Sequence, residues 1–304
     1  MSLKDIFTLV RLPNLVMMAF TMYSCRLFVI LPILRFSGSD TQLNGLIFFL
    51  VVVSVLLIAA GGYIMNDFYD LQIDRTNKPN EMIIGKKISP DKAYLWSHIL
   101  SFTGVLVAFY LGFFENIRYI GMIHLGCSLS LWIYAAYLKR VPVAGNLLVS
   151  ILCSVVILIT AFYDPAGRQA EPILILLCGY AVFAFLLSLI REMIKDLEDL
   201  KGDVEAGCKT LPVMAGIAIT KFIVSGLIVL TMAMLAYVQK FQFESRDFNS
   251  FAYIIFLIQI PLAFLIYRLN QSIDPAGYRF CSMLSKLIMV SGILSMPVFY
   301  LSFR

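Results

Sequence analysis

Nine apolar runs, each long enough to cross a bilayer, constrain this chain more than any other feature. They lie near 14–34, 45–65, 93–114, 119–138, 143–163, 172–191, 211–238, 250–267 and 281–301 of 304 residues. A helix needs about 20 predominantly apolar residues to traverse the hydrocarbon core. Backbone in lipid must satisfy its own hydrogen bonds, and no run alternates like the strand of a membrane barrel. The expected fold is therefore all-α, a multi-pass membrane protein whose nine transmembrane helices form one domain over 1–304. Composition agrees: 60% hydrophobic residues, 14% charged residues and a mean hydropathy of +0.87 exclude a soluble globule and a disordered chain alike. The first run is entered directly from MSLKDIFTLVRLPN with no small-residue cleavage site, so it is expected to stay in the protein.

Orientation follows from the basic residues. Fifteen of the 24 Lys and Arg fall in the N-terminal arm and the loops after the second, fourth, sixth and eighth runs, six fall on the other side, and Arg26, Lys221 and Lys286 lie within runs. This bias places the N-terminus and the even-numbered loops in the cytoplasm of a cell (plasma) membrane protein. The net charge of +5 is that of loops facing anionic lipid heads and implies no nucleic acid and no obligate protein partner. The six cysteines show no CxxC pair and read as reduced small hydrophobes, while His98 and His124 read as packing or interfacial residues.

Two even-numbered loops are long and polar, and each opens on carboxylates at the same spacing. These are Asp67, Asp70 and Asp74 in NDFYDLQID, then Asp196, Asp199 and Asp203 in KDLEDLKGD. Positions i, i+3 and i+7 fall within roughly 60° of one another on a helix. The spacing occurs twice, four runs apart, so both triplets lie on the cytoplasmic side, and the chain reads as parallel pseudo-repeats over about 1–140 and 141–270. A single triplet is also what a solvated acidic helix end looks like. Two matched triplets at the hydrocarbon boundary are harder to explain that way, because each is costly without a partner or a cation.

Carboxylate oxygens with little else are hard ligands suited to Mg²⁺, which keeps several waters and is completed by substrate phosphates. Asn66 and Asn14 add neutral donors and acceptors, and Lys139, Arg140, Arg191 and Lys195 add cations, although basic residues at span ends also serve as topology signals. Departure of a diphosphate is the chemistry that needs both metal and cations. Tyr134, Tyr137, Phe68 and Tyr69 sit near the polar mouth, where an aromatic face stabilises an allylic cation or simply anchors the helix at the interface.

These residues resemble the UbiA superfamily of intramembrane prenyltransferases over essentially the whole chain. The resemblance rests on nine spans, NDxxDxxxD from Asn66 to Asp74, and DxxDxxxD from Asp196 to Asp203. REMIKDLEDLKGDVEAGCKTLP (Arg191 to Pro212), NDFYDLQIDRTNKPN and YLKRVPVAGN are most similar to the digeranylgeranylglyceryl phosphate synthase branch. The resemblance implies two Mg²⁺ ions, one on Asp67, Asp70 and Asp74 and the other on Asp196, Asp199 and Asp203, with these six aspartates as the catalytic set. Asn14 and Asn66 would support the donor diphosphate, Lys139 would contact phosphate, and Arg191 and Lys195 would flank the second metal. The implied donor is geranylgeranyl diphosphate, the acceptor the hydroxyl of geranylgeranylglyceryl phosphate, and the product an ether lipid.

The chain departs from that branch after Pro79, where Glu81 stands in place of the usual Arg and Lys86 and Lys87 offer replacement cations from a shifted position. Arg26 marks either a break in the first span, with a re-entrant alternative, or a contact to acceptor phosphate. Lys221 and Lys286 have no assigned partner. An aromatic acceptor of the quinone, tocopherol or chlorophyll type is the alternative within the enzyme class. A cation-coupled transporter is the alternative outside it, though transporter sites lie nearer the bilayer midplane and between inverted repeats.

Overall fold

Long uninterrupted apolar segments leave helix as the only backbone state that satisfies itself in lipid, and helix is what the chain forms. The computed structural model describes residues 1–39, 41, 43–77, 79, 82–115, 117 and 119–302. Among the described residues, nine helices are long and apolar enough to cross a membrane: α1 (Leu12–Phe36), α2 (Gly45–Tyr69), α3 (Pro90–Phe114), α4 (Tyr119–Ala136), α5 (Ala144–Phe162), α6 (Glu171–Glu198), α7 (Ile217–Glu244), α8 (Phe248–Gln271) and α9 (Pro275–Ser302). The protein is a multi-pass membrane bundle. The helices run past the apolar runs at several ends, most at α6, which continues to Glu198 and so carries Arg191, Glu192, Lys195 and Asp196 on regular helix. α7 begins later than its apolar run because Gly216, at φ +85°, separates it from the short helix Leu211–Ala215.

Two packed groups and a seam make up most of the interior, with a smaller cluster of Leu9, Ile64, Ile84, Ile88 and Ala93 beside them. Met22, Phe48, Leu111, Ile120 and Ile159 join α1 to α5, while Ile190, Val224, Leu262 and Ile288 join α6 to α9. Val29, Ile157, Leu177 and Met296 close the two groups together along α1, α5, α6 and α9. α1 is continuous, and this corrects the expected break at Arg26. The helix widens into a π-helical turn over Cys25–Ile30, and Arg26 donates to the Leu43 carbonyl at 2.7 Å with its guanidinium 4.5 Å from the Phe48 ring centre. A single wide turn absorbs the buried cation where a break would have left backbone groups unpaired in lipid. The other unassigned intramembrane lysine on the α7 side, Lys221, donates to the Ser272 carbonyl at 2.5 Å.

Glycine lets α2 and α3 approach closely. A Cβ on Gly61 would sit 2.6 Å from the Ser97 carbonyl oxygen, and one on Gly104 would sit 2.7 Å from that of Ser54. Helices in lipid lack a hydrophobic drive toward each other, so this small-residue contact and the Ser54 hydroxyl donating to Gly104 at 2.8 Å hold the pair. Gly61→Val is expected to cost about 1–3 kcal/mol through overpacking, measured as a lower melting temperature in detergent.

Ahead of α1, the short helix Leu3–Leu9 is capped by a reciprocal Ser2/Asp5 box, and Asp5 also receives Lys87. That lysine, together with the Ser2 backbone and hydroxyl, lowers the Asp5 carboxyl to about 2. A depressed carboxyl contributes above its ordinary pKa and is lost as the pH falls through its folded value. The contact between the N-terminal arm and the 83–88 turn should therefore persist at pH 4 and loosen toward pH 2. A ¹³C titration of Asp5 would read a midpoint near 2, moving back toward the ordinary range in Lys87→Ala.

Candidate active site

Both carboxylate triplets straddle a helix end in the same way. α2 ends at Tyr69, Asp70 is its cap residue at φ −88° and ψ 1°, and Leu71–Asn77 follows as a short helix. α6 ends at Glu198, Asp199 caps it at φ −91° and ψ 4°, and Leu200–Glu205 follows. The triplets are thus not on unbroken helices as the spacing suggests. Backbone bonds nevertheless carry through each bend, Asp74 to Asp70 at 2.8 Å and Asp203 to Asp199 at 3.1 Å, so the carboxylates stay close along the chain. The two short helices pack on each other, and the Thr76 hydroxyl donates to Glu205 at 2.8 Å across them.

Below this junction lies a cavity of about 1530 Å³, with Asp67, Asp70, Asp74, Asp196 and Asp199 at its mouth and an interior walled by side chains such as Met17, Ile58, Leu131, Leu152, Phe183 and Met289. It exceeds the roughly 300–1,000 Å³ of an ordinary small-molecule site. On α2 the residues facing it recur as Val55, Ile58, Gly62, Asn66, Asp67, Asp70, which is one helical face.

The mouth is a network of matched charges. Arg11 donates to Asp67 at 2.6 Å, Asp70 receives both Lys139 and the Asn66 amide, the latter at 2.7 Å, and Asn146 donates to Asp196 at 2.8 Å. Arg191 at 2.7 Å and Lys195 at 3.4 Å share Glu192. Burial opposes charge on Lys139, but the Asp70 carboxylate outweighs it and holds the ammonium charged well above the ordinary lysine range. Asp203 stands apart: it is buried, does not line the cavity, and accepts from the Thr210 hydroxyl at 3.0 Å. Burial raises its pKa, with Thr210 acting in the opposite sense.

Of the four aromatic residues that the sequence places near the mouth, Tyr134 lines the cavity and Tyr137, Phe68 and Tyr69 do not. Positions 68 and 69 fall off the α2 face that carries Asn66, Asp67 and Asp70, and Phe68 packs on Tyr69 and Tyr94 instead. Tyr137 follows the end of α4, where the chain turns outward, and stands edge-on to Trp132. Lys86 and Lys87 do not reach the cavity either, because the turn at Gly85, φ +84°, sends Lys86 to the Pro79 carbonyl and Lys87 to Asp5. Glu81 lies outside the described residues. His124 is buried on the cavity wall with its Nδ1 2.8 Å from the Ser54 hydroxyl, and all six cysteines are free.

Four residues at the mouth escape the sequence reading: Arg11, Glu192, Asn146 and Lys286. Arg11 and Lys286 are visible in the sequence only as a topology charge and an unpaired intramembrane cation, and both meet partners remote in the chain. The donor set fits Mg²⁺. Its ligands are hard oxygens of the kind Mg²⁺ takes together with substrate phosphates, and among the described residues no three His, Cys, Asp or Glu side chains converge as a preformed cage.

Fold and mouth together define an intramembrane protein with a charged mouth over a large apolar chamber. Residues 27–287 match the UbiA prenyltransferase family, to which the chain belongs; it is a membrane prenyltransferase. The digeranylgeranylglyceryl phosphate synthase of Methanothrix thermoacetophila is 34% identical over 218 residues, 69% of this chain and 74% of that one. That of Saccharolobus solfataricus is 32% identical over 97% of this chain and 96% of its own. Among solved structures, a UbiA homolog from Archaeoglobus fulgidus bound to DMAPP and Mg²⁺ superposes with a TM-score of 0.59 at 19% identity, covering 96% of this chain and 99% of that one. Membership sets the transporter alternative aside.

Removing Lys139 would leave Asp70 with the Asn66 amide and the more distant charge of Arg11. Lys139→Met is expected to cost about 1–2 kcal/mol, less than the 3–5 of a fully buried pair because the lysine side chain retains 29% exposure. Adding Asp70→Asn should recover part of the loss in a double-mutant cycle of melting temperatures.

Proposed function

We propose that the protein transfers a geranylgeranyl group from its diphosphate to the free hydroxyl of geranylgeranylglyceryl phosphate, releasing diphosphate and forming an ether lipid. The observation that carries this reading is a large apolar cavity closed by two aspartate-bearing helix ends. Its volume, above that of an ordinary site, suits two isoprenoid chains side by side. The relatives named for this synthase support the same acceptor.

Asp67, Asp70 and Asp74 from α2 and its bend, with Asp196 and Asp199 from α6 and its bend, would hold Mg²⁺, and Asp203 would brace the second set through Thr210. When bound, the metal neutralises the diphosphate and the charge that develops as it leaves. Arg11 and Lys139, already ordered beside those carboxylates, supply cations to the same oxygens, and Asn66 keeps Asp70 aligned. Arg191 and Lys195 flank the second set through Glu192. The C1–O bond to diphosphate breaks with its electron pair staying on the leaving group. The Tyr134 ring on the wall stabilises the allylic cation, and the dry chamber keeps water from capturing it. The acceptor oxygen then bonds to C1, and its proton passes to the carboxylates of the rim. We read the two halves as duplicated units, which the matching bends at Asp70 and Asp199 support. The basic bias places the mouth on the cytoplasmic side of the plasma membrane.

The test is product formation by purified protein with labelled geranylgeranyl diphosphate, offered geranylgeranylglyceryl phosphate or 4-hydroxybenzoate. A lipid ether is expected with Mg²⁺ and none with EDTA, while aromatic product alone would refute the acceptor assignment. Asp70→Ala and Asp196→Ala should each lower kcat/KM by roughly 100-fold or more, about 2.7 kcal/mol of transition-state stabilisation. Unchanged turnover in either would remove that residue from the metal set.

A further inference from the structure

Charge is matched almost everywhere at the mouth, and Lys286 is the exception on the α9 wall. Its ammonium donates to the neutral amide oxygen of Asn14 at 2.6 Å. Arg191 and Arg11, both cations, line the same cavity. Arg11 is engaged by Asp67, whereas Arg191 shares Glu192 with Lys195 and keeps a buried Nε with no partner. Arg191 therefore shares its Glu192 carboxylate with Lys195, which also faces Asp196 and Asp199, and Lys286 adds a further cation beside them. Such a cation, half-buried in a membrane bundle, is costly until an anion joins it.

Position separates Arg191 and Lys286 from the aspartates. Arg191 lies five residues before Asp196 on α6, so its Cα is about 7.5 Å deeper along the helix axis. Asn14 lies a turn further along the chain than Arg11. On α9, Arg279, Ser282 and Lys286 share one face, all on the cavity wall, with Arg279 nearest the mouth and paired to Glu198 at 3.0 Å. An anion seated among the aspartates needs divalent metal to overcome their charge. One seated between Lys286 and Arg191 needs none.

We propose that Lys286, positioned by Asn14 and joined by Arg191, binds the phosphate monoester of the acceptor lipid, and so sets the preference for a phosphorylated acceptor. The inference rests on the proposed reaction, which has two separate phosphates to accommodate. In the acceptor the reacting hydroxyl and the phosphate ester sit on adjacent carbons. Holding the monoester just inside the aspartate rim would bring that hydroxyl toward the breaking C1–O bond, and it would keep the two polyanions on different counter-charges.

The test separates the two phosphates by metal dependence, using the full chain in detergent. Wild-type protein should bind labelled geranylgeranylglyceryl phosphate in EDTA, and more tightly than the phosphate-free geranylgeranylglycerol. Lys286→Met should raise the Kd for the phosphorylated lipid at least tenfold and leave that for geranylgeranylglycerol within twofold. Its KM for geranylgeranyl diphosphate should also stay within twofold. Lys286→Gln keeps a hydrogen bond to Asn14 without the charge and should show the same loss, so the question survives if the Met variant does not fold; Lys286→Arg should restore binding to within threefold. A tenfold rise in donor KM with acceptor binding unchanged would assign Lys286 to the donor diphosphate and overturn the proposal, as would wild-type binding that ignores the acceptor phosphate. Wild-type turnover decides the underlying reading independently: no ether from geranylgeranylglyceryl phosphate alongside aromatic product defeats the reaction itself, whereas ether formation with acceptor binding unaltered in both neutral variants defeats only the role of Lys286.

Discussion

Carboxylates gathered at the hydrocarbon boundary repel one another, and the whole aspartate-bearing end of this bundle is organised around that repulsion. Arg11 from the N-terminal arm and Lys139 from the end of α4 meet Asp67 and Asp70, while Asn146 on α5 steadies Asp196. Each partner comes from a different element, so the carboxylate mouth exists only while α1, α4 and α5 are docked on α2 and α6. Helix packing and site electrostatics are therefore one problem here. The close glycine contact of α2 with α3 braces the helix that presents Asn66, Asp67 and Asp70.

A consequence is division of labour within a single cavity. The rim carries oxygen ligands already shadowed by cations, which suits an anion that arrives with metal. The α9 wall carries Lys286 on the neutral amide of Asn14, which suits an anion that arrives without it. Beneath both, the apolar chamber leaves the chains nothing to recognise but length and shape, so discrimination between substrates falls to their polar heads.

The nine spans and the two triplets are legible in the sequence because they are properties of neighbours along the chain: apolar length, and i, i+3, i+7 spacing. Even there the reading has limits. The bends at Asp70 and Asp199 are hidden, since the spacing is helical on both sides of each cap and only the backbone reveals the change of direction. Tyr137 looks as well placed as Tyr134, yet α4 ends between them and one ring turns to the cavity while the other meets Trp132. Lys86 and Lys87 look like substitutes for a missing arginine, but a left-handed glycine beside them sends both elsewhere.

The sequence by itself determined the class of fold, the gathering of both acid triplets on one side and the family resemblance, because burial in lipid leaves long apolar segments no alternative to helix. Only the tertiary structure decided which cation answers which acid. Arg11 and Asp67 are 56 residues apart, Lys139 and Asp70 are 69 apart, and Lys286 and Asn14 are 272 apart. Charge pairing depends on distance in space, and that distance is set by how α1, α2, α4 and α9 pack, which no local pattern in the chain encodes.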